Sequence, residues 1–146
     1  MTIARENLCL LLHDAARLVR KRFERRAENL GLSSAQWRLL AITLREGRVT
    51  QARLSERMEI EPISVSRLVD RMEQAGWVAR QADPTDRRVR VIVPTAKALE
   101  AHPGIRALLD QVVAEALGGF SEEEKVTVGQ LLARLVANLA DMPAAG

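Results

Sequence analysis

A single cysteine, Cys9, in a chain of 146 residues leaves no partner for an intramolecular disulfide framework. The two histidines, His13 and His102, stand far apart in sequence and argue against a metal cage. No apolar run approaches the ~20 residues that cross a bilayer. Near the N-terminus the apolar stretch is broken by Glu6, His13 and Asp14, and no small-residue cleavage site follows it. Neither a membrane span nor a signal peptide is read there, and a cytoplasmic protein is expected. Also missing are a phosphate-cradling glycine loop, a nucleophile elbow, metal-ligand spacing and an acid–base pair. An enzyme is therefore the least favoured class, and no cofactor or metal is implied. The chain carries no internal repeat and no low-complexity segment.

Apolar residues make up 47% of the chain and charged ones 28%, enough to bury a core without staples in one domain, or one domain with a helical extension. A net charge of +3 and a pI near 9.7 permit a nucleic-acid partner. Where the charge sits decides more than its total.

Residues 4–30 read as one long helix. Leu8, Leu11, Leu12, Ala15, Leu18, Val19, Phe23, Ala27 and Leu30 recur at three- and four-residue steps, and Gly31 is placed to cap the end. At 1.5 Å per residue it would run roughly 40 Å, longer than so small a domain covers alone. Ser33 and Gln36 form a capping box that opens a second helix, which runs to Gly47. Thr50 caps a short third helix. After a turn at 59–61, Pro62 opens a fourth, where its missing N–H is not needed, and Gly76 ends it.

From Trp77 the period changes to two, giving a hairpin of WVARQ and VRVIV around the turn ADPTDRR. Thr95 begins another helical pattern, which the His-Pro-Gly at 102–104 should kink or restart. Ser121 with Glu124 makes a second capping box, ahead of a stripe of Leu131, Leu132, Leu135, Val136 and Leu139. The expected fold is mainly α with a small β-hairpin wing. A winged helix-turn-helix at 33–95 would be flanked by an N-terminal dimerisation helix at 1–32 and C-terminal dimerisation helices at 96–142, with residues 143–146 as a disordered tail.

The helix from Pro62 carries the chemistry to test. Val65, Leu68, Val69 and Met72 share one face and must pack inward. Ile63, Ser64, Ser66, Arg67, Asp70, Arg71 and Gln74 fall on the opposite face and its edges. Arg67 and Arg71, four apart, repel by about 0.2–0.5 kcal/mol on an isolated helix, and Asp70 offsets only part of this. Short hydroxyl residues followed by arginines suit a helix entering the major groove, where arginine reads guanine through two parallel bonds. The plainer alternative is a solvated face.

The hairpin adds a second basic element. Asp83-Pro84 sets its turn with proline at the second position. Arg87 and Arg88 are then pushed out together, and Asp86 is placed to orient Arg88 through a charge-assisted bond. A guanidinium there can enter a narrow minor groove beside the helix. A surface hairpin with a local ion pair is the alternative, and two basic elements in this order make it the weaker one.

These segments resemble the MarR family of bacterial transcription regulators over essentially the whole chain. The resemblance is carried by "LSSAQWRLL", "TQARLSERMEIEPISVSRLVDRMEQAGWVAR" and "DPTDRRVRVIVPT", and "ALGGFSEEEK" is similar to the SlyA branch. It implies a homodimer on a palindromic double-stranded operator, usually repression, and often relief by a small aromatic acid or an oxidant. By the same resemblance Ser64, Ser66, Arg67 and Arg71 would lie at the major groove and Arg88 in the minor groove, held by Asp86. Pro94 departs from the pattern, which more often has leucine there, and bears on where the second wing strand ends.

"ENLCLLLH" looks like the sensor segment of the peroxide-sensing branch of that family, but that branch supports its sulfur with tyrosines and this chain has none. His13, one turn on, would favour a thiolate. The favoured reading of Cys9 is a small apolar residue packed among leucines, with a thiol-based redox regulator as the alternative. His13, Arg17 and Trp37 are candidates to line a ligand pocket between the dimer-forming helices and the DNA-reading part; equally, Trp37 is core and the other two a wet helix edge. From a different class, the chain could be a winged-helix protein-interaction module without DNA binding.

Overall fold

The computed structural model describes residues 5–140, so the tail expected at 143–146 lies outside the described residues. The chain divides into two compact units, residues 1–112 and 113–146, with the boundary inside one helix. The order is α1 (Arg5–Arg26), a 3-10 turn (Glu28–Leu30), α2 (Ser34–Glu46), β1 (Val49–Thr50), α3 (Gln51–Met58), α4 (Pro62–Gln74), β2 (Val78–Ala82), β3 (Arg90–Pro94), α5 (Ala96–Ala116) and α6 (Glu122–Ala140).

In the first unit α1 stops four residues short of the expected end. The Leu30 N–H bonds to the Ala27 carbonyl at 3.0 Å, so the chain tightens into 3-10 geometry. Ala27 is buried there, and Leu30 and Leu32 turn onto the core. Gly31 takes a left-handed φ of 66° behind them. The Ser33–Gln36 capping box is present in both directions at the start of α2. Glu61 precedes Pro62, which occupies the first turn of α4.

Three strands form the sheet, in the order β1-β3-β2, all antiparallel. The expected hairpin is β2 and β3, and the two-residue β1 joins it through Val49 opposite Ile92. So short a strand has no periodicity to read; it exists because β3 offers it an edge. Pro94 is the last residue of β3, opposite Val78 and beyond the β1 pairing, where a missing N–H costs least. Thr95 then fastens the base of the hairpin: its Oγ1 donates to the Gly76 carbonyl at 2.6 Å and its N–H to the Trp77 carbonyl at 3.1 Å.

The core of this unit gathers Leu39 and Leu40 of α2, Leu54 and Met58 of α3, Val65, Val69 and Met72 of α4, and Val78 and Ile92 of the sheet. Helix α5 runs through Pro103 without a break, where a kink or restart was expected. Proline there removes the bond to the Leu99 carbonyl. Buried Ala98 and Ile105, one on each side, hold the helix against the core and offset that loss. In the second unit, α6 opens on the Ser121–Glu124 capping box and has no buried residue, and Val136 and Leu139 are each 67% exposed.

Candidate nucleic-acid interface

Helices α3 and α4 are joined by a three-residue turn in which Glu59 adopts a left-handed φ of 55°. That turn reverses the chain quickly enough for α4 to lie across α3, with Val65, Leu68, Val69 and Met72 inward. Ile63, Ser64, Arg67 and Arg71 face outward and are exposed. Neither Arg67 nor Arg71 forms an ion pair among the described residues. Asp70, expected to temper them, is drawn away: its Oδ1 lies 2.6 Å from Nη1 of Arg80 on β2. Ser66 is half-buried rather than fully outward, and its carbonyl and hydroxyl oxygens accept from Arg80 Nη2 at 3.0 and 3.5 Å.

The wing turn is built in two steps. Asp83 Oδ1 accepts from the Thr85 N–H at 2.8 Å and the Thr85 hydroxyl at 2.6 Å. These bonds, the hydroxyl's foremost, hold the Asp83 carboxyl below its ordinary value. The hydrogen-bonded reversal follows three residues later than expected, from the Val89 N–H to the Asp86 carbonyl at 3.0 Å. Asp83-Pro84 therefore shapes the approach, and Arg87 and Arg88 occupy the two corners. Asp86 Oδ1 accepts from the Arg88 N–H at 3.0 Å and from its Nε at 3.4 Å, leaving the Arg88 side chain 94% exposed. Arg87 is exposed beside it with no partner among the described residues. Two guanidinium groups thus project from one turn, one aimed by a carboxylate and one free.

Sequence reasoning passed over Arg80 and Gln51. The signal was there for Arg80: the alternation that turns Val78 inward also turns Arg80 inward, and a charge on the inner face of a strand requires partners.

A cavity of about 940 Å³ opens within the first unit between α1, α2 and α5. Phe23, Trp37, Leu44 and Ile105 give it apolar walls; four arginines, Arg20, Arg38 and Arg106 among them, bring guanidinium groups to it, and Glu24 and Asp110 bring carboxylates. Phe23 meets Trp37 edge-on at 4.6 Å. The Trp37 indole N–H is the one buried side-chain polar atom among the described residues without a hydrogen-bond partner. Of the three residues expected to line a pocket, Trp37 does so. His13 and Arg17 do not: both are exposed on α1, where Arg17 pairs with Asp14 at 3.3 Å. Their place is taken by Arg20, three residues beyond Arg17 on α1, and by His102 of α5. Cys9 is exposed on α1 and not buried within this chain.

A family model described as the MarR family matches residues 30–89. Among solved structures, transcriptional regulator PA3341 is 34% identical, with 92% of this chain and 99% of that one covered and a TM-score of 0.80. A MarR transcriptional regulator from Methanosarcina mazei Go1, 22% identical over 94% of this chain and all of the other, has the same fold with a TM-score of 0.85. The HTH-type transcriptional regulator YwoH of Bacillus subtilis (strain 168) is 28% identical over 131 residues, which are 90% of this chain and 95% of that protein.

Proposed function

Because this chain belongs to the MarR family of winged-helix DNA-binding regulators, which are not enzymes, we propose that it is a homodimeric, cytoplasmic repressor of a palindromic operator, relieved by a small aromatic acid. The observation that carries this reading is the pair of basic elements: unpaired Arg67 and Arg71 on α4, and exposed Arg87 and Arg88 at the wing turn. On duplex DNA, α4 would enter the major groove with Ser64, Ser66, Arg67 and Arg71 at phosphates and base edges. Arg88, held by Asp86, would enter the adjoining minor groove, and Arg87 would meet phosphate. Residues 1–32 and 96–142 would form the dimer. Placement in a SlyA-like branch rests on "ALGGFSEEEK".

Relief by an aromatic acid is supported by the cavity. Apolar walls accept a ring, and guanidinium groups attract a carboxylate. Arg38 lines the cavity and donates to the Met58 carbonyl at the end of α3 at 3.4 Å, so a ligand that draws Arg38 away would disturb the α3–α4 turn.

The test is an electrophoretic shift on promoter fragments across a salt series, followed by binding-site selection and then a panel of aromatic carboxylates added to the bound operator. Selective binding to a palindrome, released by one of the acids, is expected, and Arg106→Gln should need more acid for the same release. Failure to bind DNA even at low salt would leave a winged-helix protein-interaction module instead.

A further inference from the structure

Arg80 of β2 makes more side-chain contacts than any other residue beside the DNA-reading surface, and they reach two separate elements, α3 and α4. Its Nε donates to Gln51 Oε1 at the start of α3 at 3.0 Å. Nη1 pairs with Asp70 at 2.6 Å and with Glu73 Oε1 at 3.2 Å. Nη2 reaches the Ser66 carbonyl at 3.0 Å, and the Arg80 backbone N–H donates to Glu73 Oε2 at 2.9 Å. The side chain is only 20% exposed, although it lies at the junction of α4 and the wing.

We propose that Arg80 is a positioning residue that fixes the wing relative to the recognition helix, and so sets the distance between major-groove and minor-groove reading in each half-site. This rests on the DNA-binding reading above. The physical ground is the fork. A guanidinium presents five donors in one plane, so bonds to α3, to α4 and to two carboxylates together fix both its position and its angle. An ammonium carries the same charge but cannot make that plane of contacts. Arg80 also neutralises Asp70 and Glu73, which otherwise would set two carboxylates on the helix that approaches phosphate.

The two roles separate in Arg80→Lys, which keeps the charge and loses the fork, and Arg80→Met, which loses both. Affinity is measured on the selected operator, on one with the bases under α4 changed, and on one with the A·T-rich wing site moved by one base pair. The unmodified protein should discriminate against the moved wing site by about fivefold or more. In Arg80→Lys that ratio should fall toward one, while discrimination under α4 and the thermal midpoint stay near those of the unmodified protein. Arg80→Met should in addition bind every duplex more weakly. An unchanged wing-site ratio in Arg80→Lys would overturn the role, as would equal loss of both discriminations. If the unmodified protein itself selects no DNA, the premise is lost rather than the placement of Arg80, and the role falls with it.

Discussion

Arg87 and Arg88 are neighbours with different surroundings. Only Arg88 is gripped by Asp86, through both its backbone N–H and its Nε. A phosphate contact made by Arg87 carries no sequence information, so Arg87→Ala should weaken binding on all duplexes and lower the magnitude of the salt slope by about one. Arg88→Ala should do this and also blunt the preference for narrow, A·T-rich wing sites. Asp86→Ala is the informative variant. Deleting an anion near DNA ought to tighten binding on charge grounds alone, whereas loss of the grip ought to reproduce the lost selectivity of Arg88→Ala. Affinities on matched and wing-substituted operators across a salt series decide between them. Tighter, equally selective binding by Asp86→Ala would reduce the wing to a charge patch. The Asp86–Arg88 pair was legible because its members are two residues apart. Asp70 was misjudged because its partner, Arg80, is ten residues away on another element.

At the scale of elements, the helix starts were the most legible features, since a cap is a local bond between residues three apart. The two capping boxes differ in one atom type: α2 uses neutral Gln36, and α6 uses Glu124. The bond from the Ser121 backbone N–H, followed by that with its side chain, lowers the Glu124 pKa below its ordinary value. A lowered folded pKa means that the charged form is the one stabilised. The contribution is therefore present above about pH 4.3, the value of an unperturbed glutamate, and is lost as pH falls through the lower folded value. Amide protection at the start of α6 should accordingly decline in acid before protection at the start of α2, as read by hydrogen exchange. Glu124→Gln should keep the cap and abolish that difference. Equal acid sensitivity of the two helix starts would contradict this. The end of α1 and the strand β1 were not legible, because burial of Ala27 and the edge of β3 decide them and both depend on distant residues.

For the whole molecule, the exposed apolar side chains are the fact to be explained. Leu10, Leu11 and Leu18 of α1 are 62%, 54% and 49% exposed, and Val126, Leu131, Val136 and Leu139 of α6 are exposed as well. Apolar surface on this scale marks an interaction site, and a symmetric second copy is the simplest cover. Light scattering at micromolar concentration should give twice 16.2 kDa, and the thermal midpoint should fall on dilution. A clean monomer with a concentration-independent midpoint would sink the dimer. Cys9 is likewise exposed on α1. If a second copy covers it as a packing residue, low doses of organic hydroperoxide should leave unmodified protein and Cys9→Ser equally bound to operator. Release of the unmodified protein alone would install the redox reading in its place.

The sequence by itself determined the helix starts, the hairpin, the outward arginines of α4 and the aspartate that aims Arg88. Each follows from periodicity or from bonds between residues a few positions apart, and such interactions are fixed by the order of residues along the chain. Only the tertiary structure decided that Asp70 serves Arg80, that Ser66 is half-buried, that β1 exists, and that Trp37 faces a cavity in the company of Arg20 and Arg38 while His13 and Arg17 stay outside it. Those outcomes depend on which surfaces meet. A charged side chain pairs with whatever the packing of the apolar faces brings within about 4 Å, and that distance is set by residues remote in the sequence.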